Sequence, residues 1–376
     1  MKRAGLATFV ISVLVAGAAM AVDGAPWPTT AWTATPPDPS VDGPELQASI
    51  DAFFVDPEPA IGATRALLVV HQGRIVAERY GDGHDRDTRH VSWSMAKSVT
   101  HALVGAAVHD GRVDIDEPVG DPHWAPDDPR AAITWRHLLT MTSGLDWLEM
   151  EATTVTESDA ALILFGPGRG DVAEYAAEKA SIDPPGQAWK YSTGSTHLAA
   201  AALTRTIAGA DAEPDSRRET MRAFMGEHLF EPIGMRSALF EFDPVGTFYG
   251  GSLLYATARD YARFGLLYLR DGLWDGARIL PDGWVDFART PALDDVDVYG
   301  AGFWLEGEGR ERPFASYMQA APSDAYAAEG FQGQMIVIVP SKDLVVVRLG
   351  LMTDGRDSWR RLGAHMQRVV LAFPDR

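Results

Sequence analysis

Ser94 and Lys97 stand three residues apart in the run VSWSMAKSVTHALVGAAVHDG, and their types and spacing could do chemistry together. Residues three apart share a helix face. The run reads as a buried helix: apolar or small residues recur at Met95, Ala96, Val99, Leu103, Ala106 and Ala107, and Gly111 offers a stop. Burial penalises an ammonium group, so a lysine on such a helix loses proton affinity, and the neutral amine can take a proton from a serine hydroxyl. One helical turn would then supply a nucleophile and its base. Ser-x-x-Lys is short and also arises by chance. Here it occurs once, in a chain with only five lysines (Lys2, Lys97, Lys179, Lys190 and Lys342) among 33 basic residues. A lysine in this helix is therefore not background.

Such a pair still needs an oxyanion hole and a route for the proton to the leaving group. Trp189-Lys190-Tyr191-Ser192-Thr193-Gly194 follows the turn Asp183-Pro184-Pro185-Gly186, and a loop there could present Tyr191 as a proton carrier. The alternative is a tyrosine that packs on the surface. Gly330-Phe331-Gln332-Gly333-Gln334 precedes a β-branched run. Glycines there permit close backbone approach, so the N–H of Gln334 could join that of Ser94 in holding an oxyanion. A turn before an edge strand reads equally well. Trp93, Trp147, Trp189, Phe303, Trp304 and Phe331 lie near these segments and could line an apolar acyl pocket, with Gln332 and Gly333 beside Phe331. Ordinary core packing is the plainer role for aromatics. Asp146 and His197 are also nearby and read as structural.

The elements that must position these residues follow from patterning. Residues 1–21 carry Lys2 and Arg3, an apolar run and Ala19-Met20-Ala21, the pattern of a secretory signal peptide; the other reading is an uncleaved anchor. On this reading the protein is exported, to the periplasm or beyond, and meets a membrane only if the leader stays. Residues 22–43 form an extended, Pro-rich lead-in. Ala66–Val70 and Arg74–Tyr80 flank His71-Gln72-Gly73 as a hairpin, and Gln334–Val339 with Leu344–Leu349 form a second one. Helices are expected over Pro44–Phe54, Ile133–Met141, Asp171–Lys179, His197–Ala208, Thr257–Arg270 and Ser358–Phe373, with a strand at Ala301–Leu305. The expected fold is α+β: an antiparallel sheet flanked by helices, built from residues 44–121 and 243–376, with a helical lobe inserted over 122–242.

Composition narrows the function. At 376 residues, with 46% hydrophobic content, the chain can bury a large core. A net charge of −19 argues against nucleic acid and anionic membranes as partners. With no cysteine there is no disulfide, thiol catalysis or zinc–thiolate site. The ten histidines show no metal-binding spacing, so neither a metal nor another cofactor is expected. Walker, Rossmann and Gly-x-Ser-x-Gly patterns are missing too.

Taken together, the order of these motifs resembles the penicillin-recognising serine hydrolases. Within them it is similar to the class C β-lactamase-like branch with its esterases and 6-aminohexanoate-dimer hydrolases. The resemblance runs from about Trp32 to Leu371 and includes His137-Leu138-Leu139-Thr140-Met141-Thr142-Ser143-Gly144-Leu145, Tyr191-Ser192-Thr193-Gly194, Tyr255-Ala256-Thr257-Ala258-Arg259-Asp260, and Ile279-Leu280-Pro281 with Trp284. It implies that Ser94 is acylated, that Lys97 is its base and that Tyr191 assists proton transfer. It also implies a β-lactamase/transpeptidase-like fold. Two departures stand out. Thr193 occupies the place of the asparagine usual in penicillin-binding members, and Phe331-Gln332-Gly333 aligns with Lys-Thr-Gly or His-x-Gly. The loss of that cation removes a partner for a substrate carboxylate, and points to an esterase or amidase acting on a less charged acyl group.

The sequence therefore leads to an exported serine hydrolase for a small ester, amide or short peptide. A β-lactamase or DD-peptidase is the second enzymatic reading. A non-catalytic module that binds cell-wall peptides or acyl ligands is the reading from another class.

Overall fold

A computed structural model describes residues 27–306, 318–353 and 355–375. The expected signal peptide, residues 1–21, lies outside them. The strands are β1 (Ala63–His71), β2 (Arg74–Tyr80), β3 (Arg89–Val91), β4 (Leu239–Phe240), β5 (Leu254–Thr257), β6 (Leu273–Trp274), β7 (Ala277–Arg278), β8 (Trp304–Leu305), β9 (Tyr326–Gly330), β10 (Gln334–Val339) and β11 (Leu344–Leu351). The helices are α1 (Gly43–Asp51), α2 (Met95–His109), α3 (Trp135–Leu139), α4 (Asp159–Phe165), α5 (Val172–Ala177), α6 (Thr193–Ala208), α7 (Pro214–Met225), α8 (Ala258–Leu269), α9 (Trp284–Arg289) and α10 (Arg356–Leu371).

The main sheet has the order β2-β1-β11-β10-β9-β8, with antiparallel pairing throughout. Its middle strands are runs of Val, Ile and Leu, buried on both faces because helices cover both sides. The side-chain period of two divides them cleanly. Leu68, Val70, Ile336, Ile338, Val345 and Val347 pack with α2 and α8, whereas Leu67, Val69, Met335, Val337 and Val346 pack with α1 and α10. This is the antiparallel sheet between helices expected from the sequence.

Residues 122–242 hold α3 to α7. Their last strand, β4, nevertheless pairs with β5, which pairs with β3, so the end of that segment is tied to the sheet side. Three local expectations change. Thr193 opens helix α6 instead of lying in a loop, because the Ser192 hydroxyl caps the helix by accepting the Ser195 N–H at 2.9 Å. β3 forms at the start of the run that carries Ser94, where no strand was expected. β9 forms from Tyr-Ala-Ala-Glu-Gly, a sequence with little strand preference that is held by its pairing with β10.

The turn between β9 and β10 is locked from behind. Arg348, fully buried on β11, donates to the carbonyls of Gln332 (3.0 Å), Gly333 (2.9 Å) and Ile61 (2.8 Å). Burial pushes its pKa down to about 9. Its charge is carried by carbonyl dipoles, and Arg348→Met would remove the hydrogen-bond partner of the Gly333 and Ile61 carbonyls, while Gln332 would keep the Met352 N–H at 3.0 Å. We expect that variant to lose about 3 kcal/mol or more of stability, read as a lower urea midpoint. An unchanged midpoint would show that the bonds contribute nothing net.

Candidate active site

Ser94 caps the N-terminus of α2 and is half-buried, with its backbone at φ −65° and ψ −9°. Trp93 before it is held at φ 45°, an uncommon conformation for a bulky residue. What holds it is the hydrogen bonding of Ser92: its N–H reaches the Leu254 carbonyl at 2.7 Å, and its hydroxyl lies 2.9 Å and 3.0 Å from the carbonyls of Trp93 and Ser252.

Lys97 is buried one turn along. Its Nζ lies 2.9 Å from Ser94 Oγ, 2.8 Å from Thr193 Oγ1 and 3.0 Å from the Gly251 carbonyl oxygen. Burial depresses its pKa from that of an ordinary lysine to about 8, and the charge of Glu149 works in the opposite direction. A neutral amine has two N–H bonds and one lone pair. Thr193 and Gly251 accept the two hydrogens, which leaves the lone pair facing the Ser94 hydroxyl.

Glu149 orients this arrangement. The Thr193 hydroxyl donates to Glu149 Oε1 at 2.7 Å, so its oxygen is free to accept from Lys97. Glu149 Oε2 accepts from the Thr193 backbone N–H at 2.8 Å and from the Trp147 indole at 2.7 Å. A continuous path therefore runs Ser94–Lys97–Thr193–Glu149.

Tyr191 lies over the same lysine, its ring centroid 4.9 Å from Lys97 Nζ. Its ring stacks on Trp304 at 5.3 Å and meets the edge of Tyr299 at 5.9 Å. Burial raises the phenol pKa well above the usual tyrosine range, the charges of Tyr299 and Glu149 add to this, and a hydrogen bond with Ser94 opposes it. The phenol therefore stays protonated in the resting site.

The backbone that abuts the nucleophile belongs to Gly330, at the end of β9. A Cβ there would lie 2.1 Å from the Ser92 carbonyl oxygen and 3.1 Å from the Ser94 nitrogen, so only glycine permits this approach. This glycine lies three residues before Gly333, the glycine of the expected third motif, which falls in the turn between β9 and β10. Gln334 sits at the start of β10, and its buried carboxamide ties the turn to Gly350, donating at 2.8 Å and accepting at 3.0 Å. Gln332 and Gly333 form that turn and direct their carbonyls at Arg348.

The aromatic residues divide between core and surface. Trp147, 1% exposed, packs in the core against Gly194, where a Cβ would lie 2.4 Å from its ring. It orients Glu149 and does not line a pocket. Phe303 is equally buried. Trp189 joins the Tyr191–Tyr299–Trp304 cluster. Trp93 meets the edge of Phe331 at 5.7 Å, and Phe331 is 45% exposed. Asp146 is exposed and lies 3.7 Å from Lys190. His197 is buried, with its pKa pushed down to about 3 by burial and then by Lys97. Glu149 and Gly251 escaped the sequence reading. No spacing rule links either to Ser-x-x-Lys, although the Gly250-Gly251 pair was a visible signal. Among the described residues, no group of three His, Asp or Glu side chains is placed to hold a metal, and no helix is long and apolar enough to cross a membrane.

Residues 60–360 match the family model described as Beta-lactamase. The 6-aminohexanoate-dimer hydrolase of Paenarthrobacter ureafaciens is 24% identical over 313 residues, 77% of this chain and 73% of that protein. A penicillin-binding protein homologue from Caulobacter crescentus superposes with a TM-score of 0.64 at 17% identity, covering 90% of this chain and 99% of that one. A family VIII carboxylesterase superposes with a TM-score of 0.61 at 15% identity, covering 90% and 98%.

The path from Glu149 to Lys97 has a measurable consequence. Glu149→Gln removes a charge that strengthens proton binding at Lys97. The half-rise of Ser94 labelling by a fluorophosphonate should then move to lower pH than in the native protein, where it is expected near 8. An unmoved half-rise, with labelling retained, would show that Glu149 does not act on Lys97.

Proposed function

This chain belongs to the beta-lactamase family, and from that premise we propose that it is a serine hydrolase that cleaves a small ester or amide through an acyl-enzyme on Ser94. The observation that carries this reading is the buried Lys97, with its depressed pKa, 2.9 Å from the Ser94 hydroxyl. Ser94 Oγ attacks the substrate carbonyl as its proton passes to the Lys97 amine. The tetrahedral oxyanion is held by the N–H of Ser94 and, in place of Gln334, by that of Phe331, which follows Gly330 at the strand end beside Ser94. Tyr191 protonates the leaving group and recovers its proton from Lys97. Water then attacks the acyl-enzyme, with the same groups working in reverse order.

Support for an ester or amide over a β-lactam or a D-alanyl peptide comes from the third motif. Whether its glycine is Gly333, preceded by Phe331-Gln332, or Gly330, preceded by Ala328-Glu329, no cation stands there. The reading as a pure binding module has less support, since binding has no use for an amine of lowered proton affinity against a serine. We further propose that the protein acts outside the cytoplasm, on the leader features of residues 1–21; the intact mass of the mature protein tests this.

Intact mass after fluorophosphonate treatment should show one adduct on the native protein and none on Ser94→Ala. Lys97→Ala should abolish turnover while the fold persists; retained turnover would sink the assignment. For the native enzyme, kcat/KM should rise with pH to a plateau above about 8. Below that point Lys97 is an ammonium ion with no lone pair, so the rate should fall about tenfold per pH unit. Tyr191→Phe should reduce amide turnover about a hundredfold or more and nitrophenyl ester turnover much less, because nitrophenolate leaves without a proton. Equal losses would remove Tyr191 from proton delivery. Rapid, Ser94-dependent turnover of a chromogenic cephalosporin would favour the β-lactamase reading instead.

A further inference from the structure

A cleft of about 560 Å³ opens one residue before the nucleophile. One part of its wall is apolar, from Val91, Trp93, Leu164, Phe165 and Leu253. The rest is lined by Arg65, Arg89 and Arg169, by His84 and His90, and by one acidic residue, Glu241.

This concentration of positive charge is unusual for the chain. The protein carries 52 acidic and 33 basic residues, and most of its arginines are paired with carboxylates or carbonyls. Among the described residues, Arg65, Arg89 and Arg169 have no carboxylate within salt-bridge reach of their side chains. Three buried nitrogens beside them also lack partners: His84 Nδ1, His90 Nε2 and Trp93 Nε1. His90 is only 5% exposed. Buried polar atoms left unpaired cost free energy, and such atoms at a cleft wall mark a place where a ligand or water completes the bonding. The sign of the local field is independently visible. Burial, and then the charges of His84 and Arg65, depress the His90 pKa to about 4.

We propose that this cleft is a substrate subsite, taking an apolar chain that ends in a carboxylate, with the chain on Trp93, Leu253 and Phe165 and the carboxylate among Arg65, Arg89 and Arg169. The subsite rests on Ser94 being the nucleophile, since Trp93 is what joins the two. It carries cations, where the third motif has none. The expectation of a less charged acyl group is thereby reversed: the substrate is anionic, but its charge is read at a different place.

Two measurements separate this inference from the hydrolase reading. In the first, adipate and glutarate are titrated calorimetrically into Ser94→Ala, which needs no turnover. Binding should weaken about tenfold or more in the Arg65→Gln/Arg169→Gln background, weaken with added salt, and tighten in Glu241→Gln. In the second, native enzyme is given nitrophenyl hemi-esters of dicarboxylic acids, neutral acyl esters of equal length, and acyl esters of carboxylated phenols. One carboxylated series should exceed its neutral counterpart in kcat/KM by about tenfold, and the double arginine substitution should collapse that ratio. Arginine-dependent binding without turnover of any ester would sustain the subsite and overturn the hydrolase. Turnover with no carboxylate preference, or dicarboxylate binding indifferent to the arginines, would overturn the subsite.

Discussion

The site depends on keeping one amine buried and only weakly charged. Lys97 has no carboxylate in contact with it. Its three neighbours are the Ser94 hydroxyl, the Thr193 hydroxyl and the Gly251 carbonyl. These accept hydrogen bonds without neutralising a full charge, so burial wins and the proton affinity falls. A carboxylate in the place of Thr193 would reverse that balance. Glu149 instead acts through the Thr193 hydroxyl. The lysine feels its field at one remove, and the direction of each hydrogen bond is set.

That arrangement needs three distant segments to meet. α2 brings Ser94 and Lys97, the start of α6 brings Thr193, and the turn before β5 brings Gly251. Trp147 links the second of these to the core: it packs on Gly194 and holds Glu149 through its indole N–H. On the far side, β9 reaches Ser94 because Gly330 has no side chain, and Arg348 secures the turn that follows. Much of the polar bonding in this region is therefore spent on aiming backbone and side chains at one point. Such preorganisation favours the charge distribution of a transition state, since the groups need not reorient as charge develops.

Charge is also arranged at a larger scale. The chain is strongly acidic, yet the cleft beside Trp93 gathers three arginines against one glutamate. An acidic surface repels a carboxylate substrate everywhere except at such a place.

The sequence by itself determined the class of chemistry and the architecture. Ser94 and Lys97 lie on one helix turn, where spacing alone sets their proximity, and the continuous apolar runs of β1, β10 and β11 dictate a sheet covered on both faces. Tyr191 was nominated from its segment, but its distance from Lys97 depends on how the start of α6 meets α2. That Gly330 and not Gly333 abuts Ser94 follows from the pairing of β9 with β10, which the weak strand preference of Ala-Ala-Glu does not announce. Glu149, the core role of Trp147 and the arginine cleft were decided by tertiary structure alone. Each depends on contacts between residues far apart in the chain, and neither helical nor strand periodicity extends across the loops that separate them.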